Sequence, residues 1–110
     1  MTYKYNSRKI EAWKPYERGA STAWSLEHAS VYELSALEAD AELAAQSAEK
    51  FKKFLDKIKK LGGEIPGEHF AYYEFARNPT LRALFLRGFI GGIRGVISEG
   101  SLNIFKNLRW

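Results

Sequence analysis

A chain of 110 residues that is 45% apolar and 15% aromatic has material for one hydrophobic core, so wholesale disorder is excluded and one domain, with or without an arm, is expected. Seventeen Lys and Arg against thirteen Asp and Glu leave a net charge of +4. The absence of cysteine excludes a disulfide scaffold, thiolate zinc sites and cysteine nucleophiles.

Residues 1–24 show no clear period. Tyr3, Tyr5, Trp13, Tyr16 and Trp24 alternate with Lys4, Arg8, Lys9, Lys14 and Arg18, while Pro15 and Gly19 interrupt any helix. This stretch reads as an irregular basic and aromatic arm, distinct from a helical domain over residues 25–110. Its start, Met1-Thr-Tyr-Lys-Tyr-Asn, lacks the apolar core of a secretion signal, which makes the cytoplasm the expected site of action.

The segment Ser25 to Lys60 holds no Gly or Pro and is rich in Ala, Leu, Glu and Lys. Leu34, Leu37, Ala41, Ala44, Ala48, Phe51, Leu55 and Ile58 follow alternating steps of three and four, an unbroken apolar seam. The expectation is one long helix of ~52 Å, with Ser25 or Thr22 as N-cap and Gly62-Gly63 as the stop. Such a rod must bend, form an elongated hairpin or share its seam with a second chain. Charge is segmented along it: residues 25–49 carry six acids and no Lys or Arg, and residues 50–60 carry six lysines and one Asp.

Glu64-Ile-Pro-Gly reads as a turn. Glu68 to Arg77 reads as a short helix with Phe70, Tyr73 and Phe75 as its inward candidates. Asn78-Pro79 then supplies an N-cap and a first-turn proline. A helix from Pro79 to about Ser98 follows, its apolar residues being Leu81, Leu84, Phe85, Phe89, Ile93, Val96 and Ile97. Gly100-Ser101 is expected to start a last short helix bearing Leu102, Phe105 and Leu108. The whole is an all-α fold in which a long helix packs antiparallel against a glycine-rich one.

Gly88, Gly91, Gly92 and Gly95 lie inside that second helix, where each costs about 0.5–1 kcal/mol relative to Ala. Close helix packing would account for them. The expected partner is the small patch Ala41, Ala44, Ala45 and Ala48. Gly92-Ile-Arg-Gly95 has the spacing of the GxxG loop of KH domains, but no strand pattern accompanies it, and that reading is set aside. Asn78-Pro79, Arg82, Phe85, Leu86, Arg87-Gly88-Phe89 and Gly92 resemble a short segment of ribosome-modulation-factor-like proteins. That resemblance covers about a fifth of the chain, residues 78–95. It implies a small, basic, helical protein that binds RNA or a ribonucleoprotein. Asn78 stands where that family has Cys, and Phe85 or Phe89 where it has Trp.

No catalytic constellation emerges. His28 and His69 are the only histidines and share no metal-ligand spacing. Glu38 and Glu42 lie at i and i+4 but suit a solvated face, and Asp40, Glu42 and His28 match no loop that holds a metal. No cofactor is implied. The Lys50–Lys60 run reads first as a solvated helix face and second as a phosphate contact. Arg87 and Arg94 lie seven apart on one stripe, able either to pair with the acidic half of the long helix or to meet an anionic partner.

The resulting expectation is a non-enzymatic interaction protein, similar in type to small phage- or plasmid-borne modulators of host enzymes. It would dock on a nucleic-acid-processing or ribonucleoprotein complex. The contact residues expected are Lys4, Arg8, Lys9, Trp13, Lys14, Arg18, Arg87 and Arg94. Direct RNA or DNA binding is the second reading. A structural homo-oligomer through the long-helix seam is the third. No apolar run reaches the ~18 residues of a membrane span.

Overall fold

A computed structural model of the chain describes residues 14–108, with side chains to Glu99. Among the described residues the fold is all-α, with no strand. Its helices are α1 (residues 14–24), α2 (Val31–Ala44), α3 (Ala48–Lys60), α4 (Glu68–Phe70, running on as a π-helical turn, Ala71–Phe75) and α5 (Pro79–Leu108). No helix among the described residues is long and apolar enough to cross a membrane.

The helix expected over Ser25 to Lys60 is two helices. Ser30 is the first cap: its Oγ accepts from the Glu33 amide at 3.1 Å, and the Glu33 carboxylate accepts from the Ser30 amide at 3.0 Å. This reciprocal box satisfies two amides that a helix start otherwise leaves unpaired. Ser25 instead closes the end of α1, donating to the Thr22 carbonyl at 2.6 Å and accepting from the Glu64 amide at 2.8 Å. The chain turns at Ala45 and Gln46, and Ser47 starts α3 by accepting from the Lys50 amide at 3.1 Å.

The seam survives the break because α2 and α3 fold back on each other. Leu34, Leu37, Ala41 and Ala44 on one arm, and Phe51, Leu55 and Ile58 on the other, are at most 2% exposed. A straight rod would leave much of this stripe in water; the hairpin surrounds it with one core. The seam is therefore buried within a single chain and offers no face to a second copy. The charge segmentation follows from the same fold, since the acids of α2 come to lie opposite the lysines of α3, as in Asp40–Lys57 at 2.6 Å.

Asn78 caps α5, its Oδ1 accepting from the Thr80 and Leu81 amides at 3.0 and 3.2 Å. The helix then passes through Gly100 without the expected restart and continues to Leu108. Phe85, Phe89, Ile93 and Val96 enter the core, joined by Leu86; Leu81, Leu84 and Ile97 are half-buried. Edge-to-face ring pairs lock α3 to α5: Phe51 with Phe85 at 5.4 Å and Phe54 with Phe89 at 4.9 Å.

The glycines of α5 face α1, not the alanine patch of α2 and α3. A Cβ on Gly88 would stand 1.9 Å from the Tyr16 carbonyl oxygen; one on Gly92 would meet Ala20 and Ala23, and one on Gly95 the Trp24 ring. Gly19 of α1 returns the contact, at 1.9 Å from the Phe85 carbonyl oxygen. Residues 14–24, expected as irregular arm, are thus a helix seated in the core, with Thr22 and Ala23 fully buried. Pro15 lies within the described part of α1 and is fully buried. Gly19 acts as an approach point and not as a breaker. The pairs 16–88, 20–92 and 24–95 run in the same sense, so α1 and α5 are parallel. Helix α2 is antiparallel to α5, shown by Glu38 beside Arg94 and Ala45 beside Arg82.

Arg82 is the charged member of the core, 7% exposed. Its guanidinium donates to the carbonyls of Ala45 at 3.2 Å and Ala76 at 2.6 Å. These carbonyls end α2 and the α4 segment, so the cation sits at the negative poles of two helices.

Candidate binding surface

Helix α3 carries the densest run of exposed cations among the described residues. Its apolar residues Phe51, Phe54, Leu55 and Ile58 point inward, which turns six lysines to solvent along the opposite side. Three of these are engaged: Lys50 with Gln46, Lys57 with Asp40, and Lys59 with Glu68 at 2.7 Å. Lys52, Lys53 and Lys60 have no ion pair or hydrogen-bond partner among the described residues. All six are exposed, as a solvated helix face requires, and three of them are free cations among the described residues.

On one side of this ridge, Lys52, Glu68, His69, Tyr72 and Tyr73 line a shallow cleft of about 380 Å³ between α3 and α4. The Tyr72 hydroxyl donates to Asp56 Oδ1 at 2.6 Å. Burial, that hydrogen bond and the charges of Asp56 and Glu68 together hold the phenol protonated well above its ordinary range. Tyr73 and His69 stand ring to ring at 4.9 Å. The inward residues expected in this segment were Phe70, Tyr73 and Phe75. Only Phe75 is buried, while Phe70 and Tyr73 are 46% and 57% exposed. The buried side is instead Ala71, Phe75 and Ala76: Ala71 and Phe75 lie four apart, and the π turn brings Ala76, five on, into line with Ala71.

On the other side, α2 and α3 enclose a groove of about 310 Å³ lined by Asp40, Leu43, Ala44, Lys50, Lys53, Phe54 and Lys57. Leu43 is 55% exposed. It lies off the three-four seam, and this was the one legible sign that it would stay outside the core.

The expected contact residues that the structure describes, Lys14, Arg18, Arg87 and Arg94, have separate surroundings. Lys4, Arg8, Lys9 and Trp13 lie outside the described residues. Lys14 is exposed where the description of α1 begins. Arg18 is turned inward: its guanidinium covers the Phe70 ring at 5.0 Å and the Phe75 ring at 5.8 Å, clamping α1 to α4. Gly67 is required beside it, since it has φ +62 and a Cβ there would stand 2.6 Å from the Arg18 guanidinium. Arg94 pairs with Glu38 at 3.1 Å, the internal alternative for that stripe. Arg87 remains exposed, beside Pro79, Thr80, Ala83 and Leu84 at the start of α5. His28 donates through Nε2 to the Leu61 carbonyl at 2.9 Å and closes the end of α3. Among the described residues, no three His, Asp or Glu side chains converge as metal ligands would. Gly92 and Gly95 lie within α5, so their spacing forms no phosphate loop.

No protein family, curated protein or solved structure matches this chain.

Proposed function

We propose that this chain is a non-enzymatic interaction protein that docks on a nucleic-acid-processing or ribonucleoprotein complex and acts by covering part of it. The observation that carries this reading is the α3 ridge. Lys52, Lys53 and Lys60 are unpaired among the described residues, with exposed Tyr73 on one flank and exposed Leu43 on the other. Free cations beside aromatic and aliphatic anchors suit an acidic protein surface that offers apolar contact. The resemblance of residues 78–95 to ribosome-modulation-factor-like proteins points to the same kind of target. The size of the chain is of a kind with phage- or plasmid-borne modulators, and the proposed site of action is the cytoplasm.

Direct nucleic-acid binding is the second reading, favoured by the ring pair of His69 and Tyr73 beside Lys52, where a base could stack next to a phosphate contact. One experiment separates the two. The full chain and its Lys52→Glu/Lys53→Glu/Lys60→Glu variant are used to capture partners from lysate, with and without nuclease. Components of a nucleic-acid-processing or ribonucleoprotein complex, held after nuclease by the parent chain and lost by the variant, support docking on protein. Capture abolished by nuclease, with salt-sensitive binding to RNA or DNA oligonucleotides, supports the second reading. Identical capture by chain and variant overturns both.

A further inference from the structure

The α2–α3 groove combines an apolar floor with a cationic rim. Its floor is apolar, made of Ala44 and Phe54, which are 1% and 4% exposed because their remaining surface belongs to the core. Leu43 forms its lip at 55% exposure. Around that lip stand Lys50, Lys53 and Lys57, with Asp40 as the one lining acid. Asp40 is already bonded to Lys57, and Lys50 to Gln46, leaving Lys53 without a partner among the described residues. Three cations and one anion give the groove +2 around a leucine.

We propose that this groove receives an acidic amphipathic helix of a protein partner: an aliphatic side chain over Leu43 and Ala44, with carboxylates one turn either side on Lys53 and Lys50. This rests on the docking function proposed above and names the partner element. The choice of occupant follows from complementarity. A phosphate backbone would satisfy the lysines but bring nothing aliphatic to Leu43. An uncharged apolar segment would cover Leu43 and leave the lysines facing no counter-charge. A helix with leucines at i, i+3 and i+7 and glutamates between them meets both demands, and the furrow between two antiparallel helices has the shape to seat a third.

The test uses the full chain and a labelled synthetic helix of that pattern, followed by fluorescence anisotropy. Two control helices replace its leucines with serine or its glutamates with glutamine. Leu43→Glu and Lys53→Glu are the groove variants and Arg77→Glu, at the end of the α4 segment and away from groove and ridge, the charge control. All three positions are exposed, and a melt followed by circular dichroism checks that each variant is folded. The expected result is binding of the probe, weakened by about tenfold or more in Leu43→Glu and in Lys53→Glu and changed by less than about threefold in Arg77→Glu. Each control helix should bind about tenfold more weakly than the probe. Equal binding of the serine helix overturns the proposal, since charge alone would then suffice. So does indifference to Leu43→Glu, an RNA oligonucleotide that displaces the probe and itself depends on Leu43, or a homodimer in light scattering that Leu43→Glu dissolves. A probe that fails to bind, while lysate capture still depends on Lys52 and Lys60, removes the groove assignment and leaves the docking function standing. Probe binding without such capture does the reverse.

Discussion

Replacing glycine with alanine inside a helix ordinarily stabilises it by about 0.5–1 kcal/mol. In α5 the sign should depend on position. At Gly88 a Cβ would lie 1.9 Å from the Tyr16 carbonyl oxygen, where ordinary contact begins at 3.4 Å, a shortfall of about 1.5 Å. The obstacle is backbone of a neighbouring helix, so no side-chain rotation relieves it, and α1 must lift from α5. Overpacking of this kind costs about 1–3 kcal/mol or more. Net of the propensity gain, Gly88→Ala should lose about 2 kcal/mol, a drop of about 8 °C or more in Tm for a domain of this size. Gly91 is one turn further along, is exposed and has only the Tyr16 hydroxyl near its Cβ position, at an ordinary 3.5 Å. Gly91→Ala should therefore gain about 0.5–1 kcal/mol. Urea unfolding followed by circular dichroism measures both. With Trp13 and Trp110 replaced by Phe, Trp24 fluorescence gives a local readout, because that ring lies against Gly95. If both variants are stabilised alike, α1 does not lie on α5 and the account of the glycines fails.

The break between α2 and α3 makes a similar contrast at Ser47. A continuous helix would be stabilised by Ser47→Ala, whereas removal of an N-cap should cost about 1 kcal/mol in urea unfolding; a gain would refute the hairpin. Arg82→Met keeps the apolar stem and removes two hydrogen bonds from a charged donor, stranding the Ala76 carbonyl, so a loss of about 2 kcal/mol is expected in the same assay. An unchanged midpoint would mean that desolvating the guanidinium cancels those bonds. Tyr72 should ionise above the ordinary tyrosine value in an ultraviolet titration, and Asp56→Asn should bring it back toward that value. Because its folded pKa is raised, its contribution to stability is complete below the unfolded value of about 10 and is lost as pH rises beyond it. Alkaline unfolding in which Asp56→Asn and parent lose stability equally would show that this link is absent.

Helix identity, apolar faces and several boundaries were legible in the sequence, because they depend on chemistry within a few residues. The inward spacing of Leu34 to Ile58, the Gly62 stop and the Asn78-Pro79 start are all local. Ser30 and Ser47 carried cap chemistry too, each with an acid close behind, but an uninterrupted seam concealed it. That seam looks the same in a rod and in a hairpin, since period reports which side of a helix is apolar and not where the chain reverses. The reversal was decided by where the remaining apolar surface lay. The partner of the glycines was likewise undetermined: small residues permit close approach without specifying to whom, and Gly19 reads as a breaker until Phe85 stands against it. The candidate surface is tertiary for the same reason. Lys53 and Leu43 lie on different helices and become one groove only when α2 and α3 fold together, while Tyr73 faces out because the core covers the side that bears Ala71, Phe75 and Ala76.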